Sequence, residues 1–285
     1  DDPVVDDRGR APTWAPLDDA SLAELLRSLP SRPLFTAHKD VRLSLAGAQD
    51  KAAVILVPSP AGGGDTLALP TQGSPSTHIV KPGVPGLDGY VAHEHLCLSI
   101  ARSLGLPVVE SAIRFAQDIP YLLVTRYDRA RDAEGIVQRL HQEDLCQALG
   151  VRSAQKYENE GGPTLADVFR VLDGSLVPAQ ARTAFLDAVL LNVCLGNGDA
   201  HAKNVSLLHE RAGYRLAPFY DLSCGPVYDL RDRQAMRIGG IYDVGQLSIR
   251  HWERLASEVG YSFPALRARL LDLAERLPVV AATEV

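Results

Sequence analysis

Short apolar runs with strand character dominate the first part of the chain. "DVRLSLAGAQDKAAVILVPS" alternates and then becomes apolar, which predicts two strands joined by a small-residue turn at Ala46 to Gln49. "STHIVKPG" predicts a strand ending at Pro82, and "IRFAQDIPYLLVTRYDR" predicts two more strands around Asp118. Between them, "GYVAHEHLCLSIARSLGLP" keeps apolar residues at helical spacing and predicts a helix that ends near Gly105.

Helical patterns dominate the second part. "HQEDLCQALG", "GPTLADVFRVLDG" and "PAQARTAFLDAVLLNVCLG" each predict a helix, and the last is apolar on nearly all sides from Phe185 to Leu195, which is typical of a buried helix. A short hairpin, "VSLLHERAGYRLAPFY", interrupts this series, and two helices are predicted in the tail. The pattern therefore predicts an α+β chain with a β-rich domain at 1–129 and an α-helical domain at 130–285.

Weaker signals mark the amino-terminal residues and one glycine-rich loop. Residues 1 to about 17 show no regular pattern and are interpreted as a lead-in. "DASLAELLRSLP" predicts a short helix with Asp19 or Ser21 as its N-cap and Pro30 as its stop. "AGGGD" at 61–65 is interpreted as a loop tip rather than a phosphate cradle.

Composition and charge narrow the class of protein. The 285 residues are 46% hydrophobic and 22% charged, which is enough apolar material for a substantial core. No stretch approaches eighteen apolar residues, and the start does not resemble a secretory signal, so we expect a cytoplasmic protein without a membrane span. A net charge of -6 disfavours a large nucleic-acid surface. The four cysteines form no Cys-x-x-Cys pair and favour buried thiols over disulfides or zinc.

The stretch "LGNGDAHAKNVSLLHE" concentrates the candidate chemistry. Asp199 and Asn204 lie five positions apart after a buried helix, and Asp221 follows the hairpin in "FYDLS". A loop acid can accept a hydroxyl proton, whereas a carboxamide oxygen and a second carboxylate suit magnesium. Protein kinases place an Asp, an Asn five positions later, a hairpin and a metal-binding Asp in this order. The spacing therefore indicates phosphoryl transfer.

Other kinase elements can be assigned upstream. Lys81 ends the strand "THIVK", where it could reach nucleotide phosphates, and Glu94 in the next helix could pair with it. "SLAGAQDK" at 44–51 puts small residues at a turn that lets backbone N–H groups approach phosphate, although it is not a Walker motif. "LLVTRYDR" is interpreted as the strand that joins two lobes, where adenine usually binds.

Each of these residues also has a non-functional interpretation. Asp199 and Asn204 could be ordinary turn formers in a glycine-rich loop. Lys81 and Glu94 could be solvated surface charges, as could the loop residues His201 and Lys203. Asp221 is harder to dismiss, because a carboxylate beside "FY" is rarely left without a partner. The kinase hypothesis therefore depends on the order of the elements rather than on any single residue.

With these residues in view, the sequence resembles the HipA family, the toxin kinases of bacterial type II toxin–antitoxin modules. The resemblance runs from about residue 42 to 240 in family order. The matching stretches are "LSLAGAQDK", "THIVKP", "EHLCLSIARSLGLP", "TRYDR", "RLHQEDLCQALG", "KYENEGGPTL", "GNGDAHAKNVSLL", "LAPFYDLS" and "AMRIGG".

The resemblance implies a two-lobed, protein-kinase-like fold of the phosphatidylinositol-kinase type, with a β-rich N-lobe and an α-helical C-lobe. It implies ATP and Mg²⁺ as cofactors, Asp199 as the catalytic acid, and Asn204 and Asp221 as metal ligands. The ATP-binding residues that it implies are Ala46, Gly47, Ala48, Gln49, Asp50, Lys51, Lys81, Thr125, Arg126, Tyr127, His201, Lys203, Asn204 and Asp221.

Ser44 stands where the family carries an autophosphorylated serine. A doubly charged phosphate inside a phosphate-binding turn would expel that turn by repulsion, so phosphorylation of Ser44 is expected to switch the enzyme off. Full-length members also carry a small β-containing subdomain before the first helix, whereas about seventeen residues precede it here. The chain is accordingly read as a fragment or as a member of the shorter branch of the family.

The function that the resemblance implies is that of a serine/threonine protein kinase toxin. Its expected substrate is an aminoacyl-tRNA synthetase, its expected partner is a helix-turn-helix antitoxin of the HipB type, and DNA contact is expected only through that antitoxin. Two alternatives stay open: a small-molecule kinase of the aminoglycoside or choline type, and a pseudokinase that serves as a binding module.

Overall fold

The computed structural model of the chain describes residues 13–29, 50–58, 65–133, 135–228 and 233–284. The chain divides into two compact units. The first comprises Asp1–His95 and Val109–Leu140, and the second comprises Leu96–Val108 and His141–Val285. The domain boundary near residue 129 stays a prediction.

An antiparallel six-stranded sheet forms most of the first unit, in the order β1-β3-β2-β4-β6-β5. Its strands are β1 (Thr13–Leu17), β2 (Ala52–Val57), β3 (Thr66–Thr71), β4 (His78–Pro82), β5 (Ser111–Ala116) and β6 (Ile119–Thr125). Helix α1 (Asp19–Ser28) buries its apolar face with the inner face of this sheet in one core that includes Leu26, Val54 and Val80. Burial of each such side chain contributes about 1.5–3 kcal/mol.

Three further elements among the described residues belong wholly or partly to the first unit. Helix α2 (Tyr90–Ser103) follows β4, and the division between the units falls within it. A short hairpin pairs β7 (Arg129–Arg131) with β8 (Val137–Arg139).

Two predictions about the first unit are wrong. The lead-in is not irregular throughout, since Thr13–Leu17 pairs with Thr71–Leu67 as an edge strand. Pro16 fits there because an edge strand tolerates a missing N–H donor. The cap of α1 is Asp18 rather than Asp19 or Ser21, because its side chain accepts a hydrogen bond from the Ser21 N–H at 2.7 Å.

Helices and a small sheet form the second unit. The three-stranded sheet has the order β11-β10-β9 and is antiparallel. Its strands are β9 (Gln142–Asp144), β10 (Ser206–Glu210) and β11 (Gly213–Leu216), and a separate hairpin pairs β12 (Arg233–Ile238) with β13 (Ile241–Asp243). The helices are α3 (Leu145–Ala148), α4 (Leu165–Asp173), α5 (Pro178–Leu195), α6 (Ile249–Glu258) and α7 (Phe263–Glu284).

The buried helix α5 organises the core of this unit, as its apolar pattern predicts. Leu186, Leu190 and Leu191 are fully buried, and the Phe185 ring meets Phe169 of α4 edge-on at 5.2 Å. The stretch "HQEDLCQALG" is not one helix as predicted, because its first polar residues pair with β10 and only Leu145–Ala148 is helical. Among the described residues, no helix combines the length and the apolar character that a bilayer crossing needs.

Candidate active site

The polar loop after α5 begins with a left-handed turn. Gly196 caps the helix with φ of 60°, and the next N–H, that of Asn197, donates to the Asn192 carbonyl at 2.8 Å. This conformation is costly for residues with a Cβ, which explains the glycine. The chain therefore turns sharply at the end of α5. The loop that follows carries four polar residues, Asp199, His201, Lys203 and Asn204.

Asn197 fastens the loop from inside. Its side chain is 1% exposed, and its Nδ2 donates to Asn192 Oδ1 at 2.8 Å. Its Oδ1 accepts hydrogen bonds from the Asp199 N–H and from Ser223 Oγ, both at 3.1 Å. A buried carboxamide with both ends satisfied fixes the local backbone, so Asn197 sets the position of Asp199.

The Asp199 carboxylate faces outward while its backbone is held. Its side chain is 59% exposed, and its carbonyl accepts hydrogen bonds from the His201 N–H and from Asn204 Nδ2, both at 2.8 Å. The Tyr157 hydroxyl donates to Asp199 Oδ1. Burial, and then the hydrogen bond and charge of Asp199, raise the pKa of Tyr157 above its usual value. Tyr157 therefore stays a neutral donor, and Oδ2 is the carboxylate oxygen left for a substrate hydroxyl.

His201 is buried beneath this carboxylate. Its Nε2 lies 3.6 Å from Asp199 Oδ1, and its ring packs edge-on against Tyr157 at 5.2 Å. Burial lowers the pKa of His201, although the Asp199 charge opposes this, so the imidazole is neutral at pH 7. In the part of the chain that the structure describes, its Nδ1 has no hydrogen-bond partner. A bound nucleotide or a water molecule would satisfy that nitrogen.

Asn204 and Asp221 line one pocket of the second unit. The Asn204 Nδ2 is engaged with the Asp199 carbonyl, which leaves Oδ1 as the atom that can coordinate a cation. Asp221 has φ of 55°, an uncommon backbone conformation that often marks functional positions. The preceding residue, Tyr220, donates its hydroxyl to the Lys203 carbonyl at 2.9 Å, which ties the segment after β11 to the loop. A carboxamide oxygen and a carboxylate fit Mg²⁺.

Lys203 forms a buried ion pair. Its Nζ donates to Asp144 Oδ2 at 2.6 Å, and both side chains are largely buried. Asp144 is also the N-cap of α3, since its Oδ1 accepts the Gln147 N–H at 2.9 Å. The structure thus ties the loop to β9 and α3 through Lys203, and the role of this lysine in ATP binding stays a prediction.

Lys81 and Glu94 form a second buried pair in the first unit. Lys81 Nζ lies 2.5 Å from Glu94 Oε1, with side chains 5% and 3% exposed. The pair joins β4 to α2, which is the arrangement that the sequence predicts for a kinase lysine and its partner. Neither residue is the solvated surface charge that the alternative interpretation supposed.

The predicted hinge residues lie at the end of β6 and directly after it, since Thr125 is its last residue. The Thr125 N–H donates to the Glu110 carbonyl at 2.9 Å, and the Arg126 N–H donates to the Thr77 carbonyl at 3.0 Å. The Arg126 guanidinium binds Asp128 through two hydrogen bonds, of 2.9 and 2.6 Å. Although burial opposes it, the arginine hydrogen bonds and charges hold the pKa of Asp128 below its usual value. Tyr127 lies between Arg126 and Asp128 in the chain.

The remaining predicted residues belong to the turn that the sequence predicts before β2. Ser44, Ala46, Gly47, Ala48 and Gln49 lie outside the described residues. Asp50 and Lys51 directly precede β2 and are half-buried. The structure places Asp199, His201, Lys203 and Asn204 in one loop of the second unit, and Asp221 lines the same pocket as Asn204. Lys81 and Glu94 meet each other in the first unit.

Sequence reasoning missed Tyr157 and the residues that hold it. The buried Glu158 accepts hydrogen bonds from the Arg237 backbone N–H at 2.6 Å and from Arg237 Nε at 2.5 Å, which fastens the segment 157–162 to β12. Gly162 has no room for a Cβ, which would lie 2.6 Å from the Tyr157 carbonyl oxygen. The signal was the stretch "KYENEGG", in which adjacent glycines after a polar run indicate a tightly packed turn.

Comparisons with known proteins identify related chains. The family model described as "HipA-like C-terminal domain" matches residues 43–281. An inferred kinase of Sinorhizobium fredii, Y4mE, is 42% identical over 91% of this chain and 61% of its own length. The serine/threonine-protein kinase toxin HipA of Shewanella oneidensis is 31% identical over 83% of this chain and 56% of its own length.

A solved structure gives the same result for the fold. The Shewanella oneidensis HipA, in a complex with HipB and operator DNA, matches with a TM-score of 0.81 and 26% identity, over 98% of this chain and 67% of that chain. This similarity confirms the predicted α+β, two-lobed kinase-like fold with a β-rich N-lobe and an α-helical C-lobe. The chain spans about three fifths of the length of the curated relatives that it matches.

Proposed function

Because the chain belongs to the HipA-like C-terminal domain family, we propose that it is an ATP- and Mg²⁺-dependent serine/threonine protein kinase. The observation that carries this proposal is the loop after α5. It holds the Asp199 backbone through Asn197 and Asn204 while the carboxylate itself stays exposed to a substrate. The buried Lys81–Glu94 pair supports the same reaction class independently.

In the proposed reaction, Asp199 acts on the acceptor hydroxyl. Its Oδ2 receives the hydroxyl proton as the acceptor oxygen forms a bond to the γ-phosphorus and the bond from that phosphorus to the β-phosphate oxygen breaks, so that ADP leaves. Tyr157 and the loop backbone hold the carboxylate in orientation. Asn204 and Asp221 would hold Mg²⁺, which when bound neutralises phosphate charge.

The nucleotide is proposed to contact residues from several elements. Lys81 would neutralise phosphate charge, and the turn at 46–51 would add backbone N–H donors. The position proposed for adenine binding is the end of β6, at Thr125, Arg126 and Tyr127. The His201 Nδ1 supplies a buried polar atom that suits a ligand contact.

We further propose that the kinase is the toxin of a type II module that acts in the cytoplasm, where ATP is available. The relative named as a HipA kinase toxin supports this role, and the solved HipA–HipB–DNA complex supports a HipB-like antitoxin as the partner. The helix-turn-helix fold of that antitoxin derives from the family resemblance. An aminoacyl-tRNA synthetase as substrate and self-inactivation at Ser44 are the finer proposals, and both derive from the family resemblance.

The decisive experiment follows phosphate from γ-labelled ATP. The chain is incubated with Mg²⁺ and a cell extract, and label is sought on protein and on small molecules. We expect label on protein that falls about 10²–10⁴-fold for Asp199→Asn, because a general base is lost while the hydrogen-bond acceptor at Oδ1 remains. Phosphosite mapping identifies the substrate and tests Ser44.

Three outcomes would contradict the proposal in different ways. Label on small molecules alone would favour an aminoglycoside- or choline-type kinase. ATP binding without turnover would favour a pseudokinase. Equal phosphate transfer by wild type and Asp199→Asn would contradict the assignment of the loop after α5 as the catalytic loop.

A further inference from the structure

A cluster of two histidines and one glutamate lies on the small sheet of the second unit, apart from the residues assigned above. His141 directly precedes β9, Glu143 lies in β9, and His209 lies in β10. Their ligand atoms all lie within 4.8 Å of one another.

Strand register creates the cluster. His141 and Glu143 are two positions apart, and residues at that spacing share one face of a strand. Gln142 pairs with Leu208 across the sheet, and the His209 N–H donates to the His141 carbonyl at 2.9 Å, so His209 lies beside both. The hydrogen bonds between β9 and β10, and the one between His209 and His141, therefore fix the three side chains relative to one another.

The Glu143 carboxylate lies close to both imidazoles. His209 Nε2 lies 2.9 Å from Glu143 Oε2, and His141 Nε2 lies 3.7 Å from Glu143 Oε1. The imidazole centroids are 4.9 Å apart, and the Tyr214 ring packs beside His209 at 5.9 Å. One cation could replace these contacts with three ligand bonds after small side-chain rotations.

We propose that His141, Glu143 and His209 form a binding site for a zinc-class divalent transition metal. Two imidazole nitrogens and one carboxylate oxygen match the three protein ligands of open zinc sites, in which a water molecule or another ligand takes the fourth position. Imidazole ligands favour zinc, nickel or copper, whereas Mg²⁺ prefers oxygen. The side chains are 46%, 33% and 26% exposed, so the metal reaches them without unfolding of the chain.

The position of this site links it to the loop after α5. Glu143 directly precedes Asp144, which binds Lys203, and β10 begins at Ser206, two residues after Asn204. A metal held between β9 and β10 would connect the strand that follows the loop, β10, to the strand that Lys203 contacts through Asp144, β9. Because the metal would bind the folded chain preferentially, it also raises the unfolding free energy of this unit.

The test is calorimetric titration of Zn²⁺ into the chain without a polyhistidine tag. We expect one high-affinity site per chain, at least tenfold weaker binding for His209→Ala and for Glu143→Gln, and no competition by Mg²⁺. The matched control His93→Ala removes an imidazole of the first unit and is expected to bind as wild type does. Asp221→Asn tests the proposed magnesium ligands and is also expected to leave Zn²⁺ affinity unchanged, so failure of the kinase proposal and failure of this one are distinguishable.

Ring NMR signals provide a second, independent measurement. Zn²⁺ is expected to shift the ring signals of His141 and His209 and to leave those of His93 unchanged. If His209→Ala does not fold, His141→Ala replaces it, because that side chain is the most exposed of the three. Equal zinc affinity in wild type and in the folded cluster variants would overturn the proposal.

Discussion

At the scale of single residues, the candidate catalytic loop assigns different roles to Asn197, Asp199 and Asn204. Asn197 and the Asn204 Nδ2 hold backbone atoms, whereas the Asp199 carboxylate stays accessible. The sequence predicted Asp199 and Asn204 because their spacing follows a known chemical order. It could not predict the partner of Lys203, since only the folded chain brings Asp144 within 2.6 Å of that lysine.

Replacing Tyr157 by Phe removes one hydrogen bond to Asp199 and little else. A hydrogen bond to a charged group is worth about 1.5–3 kcal/mol, so we expect kcat to fall by about 10- to 100-fold. The KM for ATP should stay unchanged, because the phenol orients the carboxylate that receives the acceptor proton. Steady-state kinetics with varied ATP and varied acceptor measures the effect.

A matched control for Tyr157→Phe is Tyr261→Phe, whose hydroxyl lies 3.2 Å from Thr183 Oγ1 in the same unit. We expect this control to transfer phosphate at the wild-type rate. An unchanged kcat in Tyr157→Phe would show that the contact with Asp199 does not position the base.

The pairing of β9 with β10 shows what patterning misses at the scale of whole elements. The polar triplet Gln142–Asp144 reads as the first turn of a helix, yet it forms a strand because β10 offers an unpaired edge and Asp144 starts α3 immediately afterwards. Thr13–Leu17 was missed for a related reason, since it contains a proline and pairs with residues far along the chain. Long apolar elements such as α5 were predictable because the apolar pattern of their own residues indicates burial.

Breaking the Lys203–Asp144 pair tests how α3 is fastened to the loop. Lys203→Met leaves the buried Asp144 carboxylate uncompensated, and we expect the unfolding free energy to fall by about 3 kcal/mol. Urea denaturation followed by circular dichroism measures this loss.

The double variant Lys203→Met with Asp144→Asn serves as the control for this pair. It removes both charges and keeps a capping side chain for α3, so most of the lost stability is expected to return. If the double variant is less stable than the single one by the full cost of a second mutation, the two charges are not coupled.

The turn that carries Tyr157 depends on a glycine. In Gly162→Ala the new methyl would press on the carbonyl oxygens of Gln155 and Tyr157, and we expect a loss of about 1–3 kcal/mol together with lower phosphate transfer. Thermal unfolding and the labelled-ATP assay measure the two effects.

Gly83→Ala is the matched control, because the space around that glycine is open and its backbone is not left-handed. It should unfold within about 0.5 kcal/mol of wild type. Comparable losses in both variants would mean that close packing at 162 is not the cause.

For the molecule as a whole, the buried His201 and the partly buried His78 and His93 make stability depend on pH. Burial is the largest cause that lowers the pKa of His78, His93 and His201, so the folded chain favours their neutral forms. The unfolded chain then binds more protons below the ordinary value of 6.5, and the stability contributed by these groups is present above that pH. It is lost as the pH falls from 6.5 through the lower folded values.

We therefore expect the midpoint of unfolding to fall between pH 7 and pH 5, with part of the fall removed in His78→Asn. Ring NMR titration of the wild-type chain should place all three histidines below their ordinary pKa. A His201 ring that titrates above 6.5 would contradict this explanation.

The anchoring of the loop after α5 has a practical consequence. Since Asn197 and Asn204 hold main-chain atoms, and an asparagine at 199 still offers an oxygen to the Tyr157 hydroxyl, we expect the Asp199→Asn chain to keep the loop conformation while losing most of the proposed phosphate transfer. Such an inactive variant can serve as a substrate trap. It can keep its substrate and any regulator bound long enough for cross-linking and recovery. The Asp199→Asn chain is therefore a reagent for identifying the substrate of the proposed kinase.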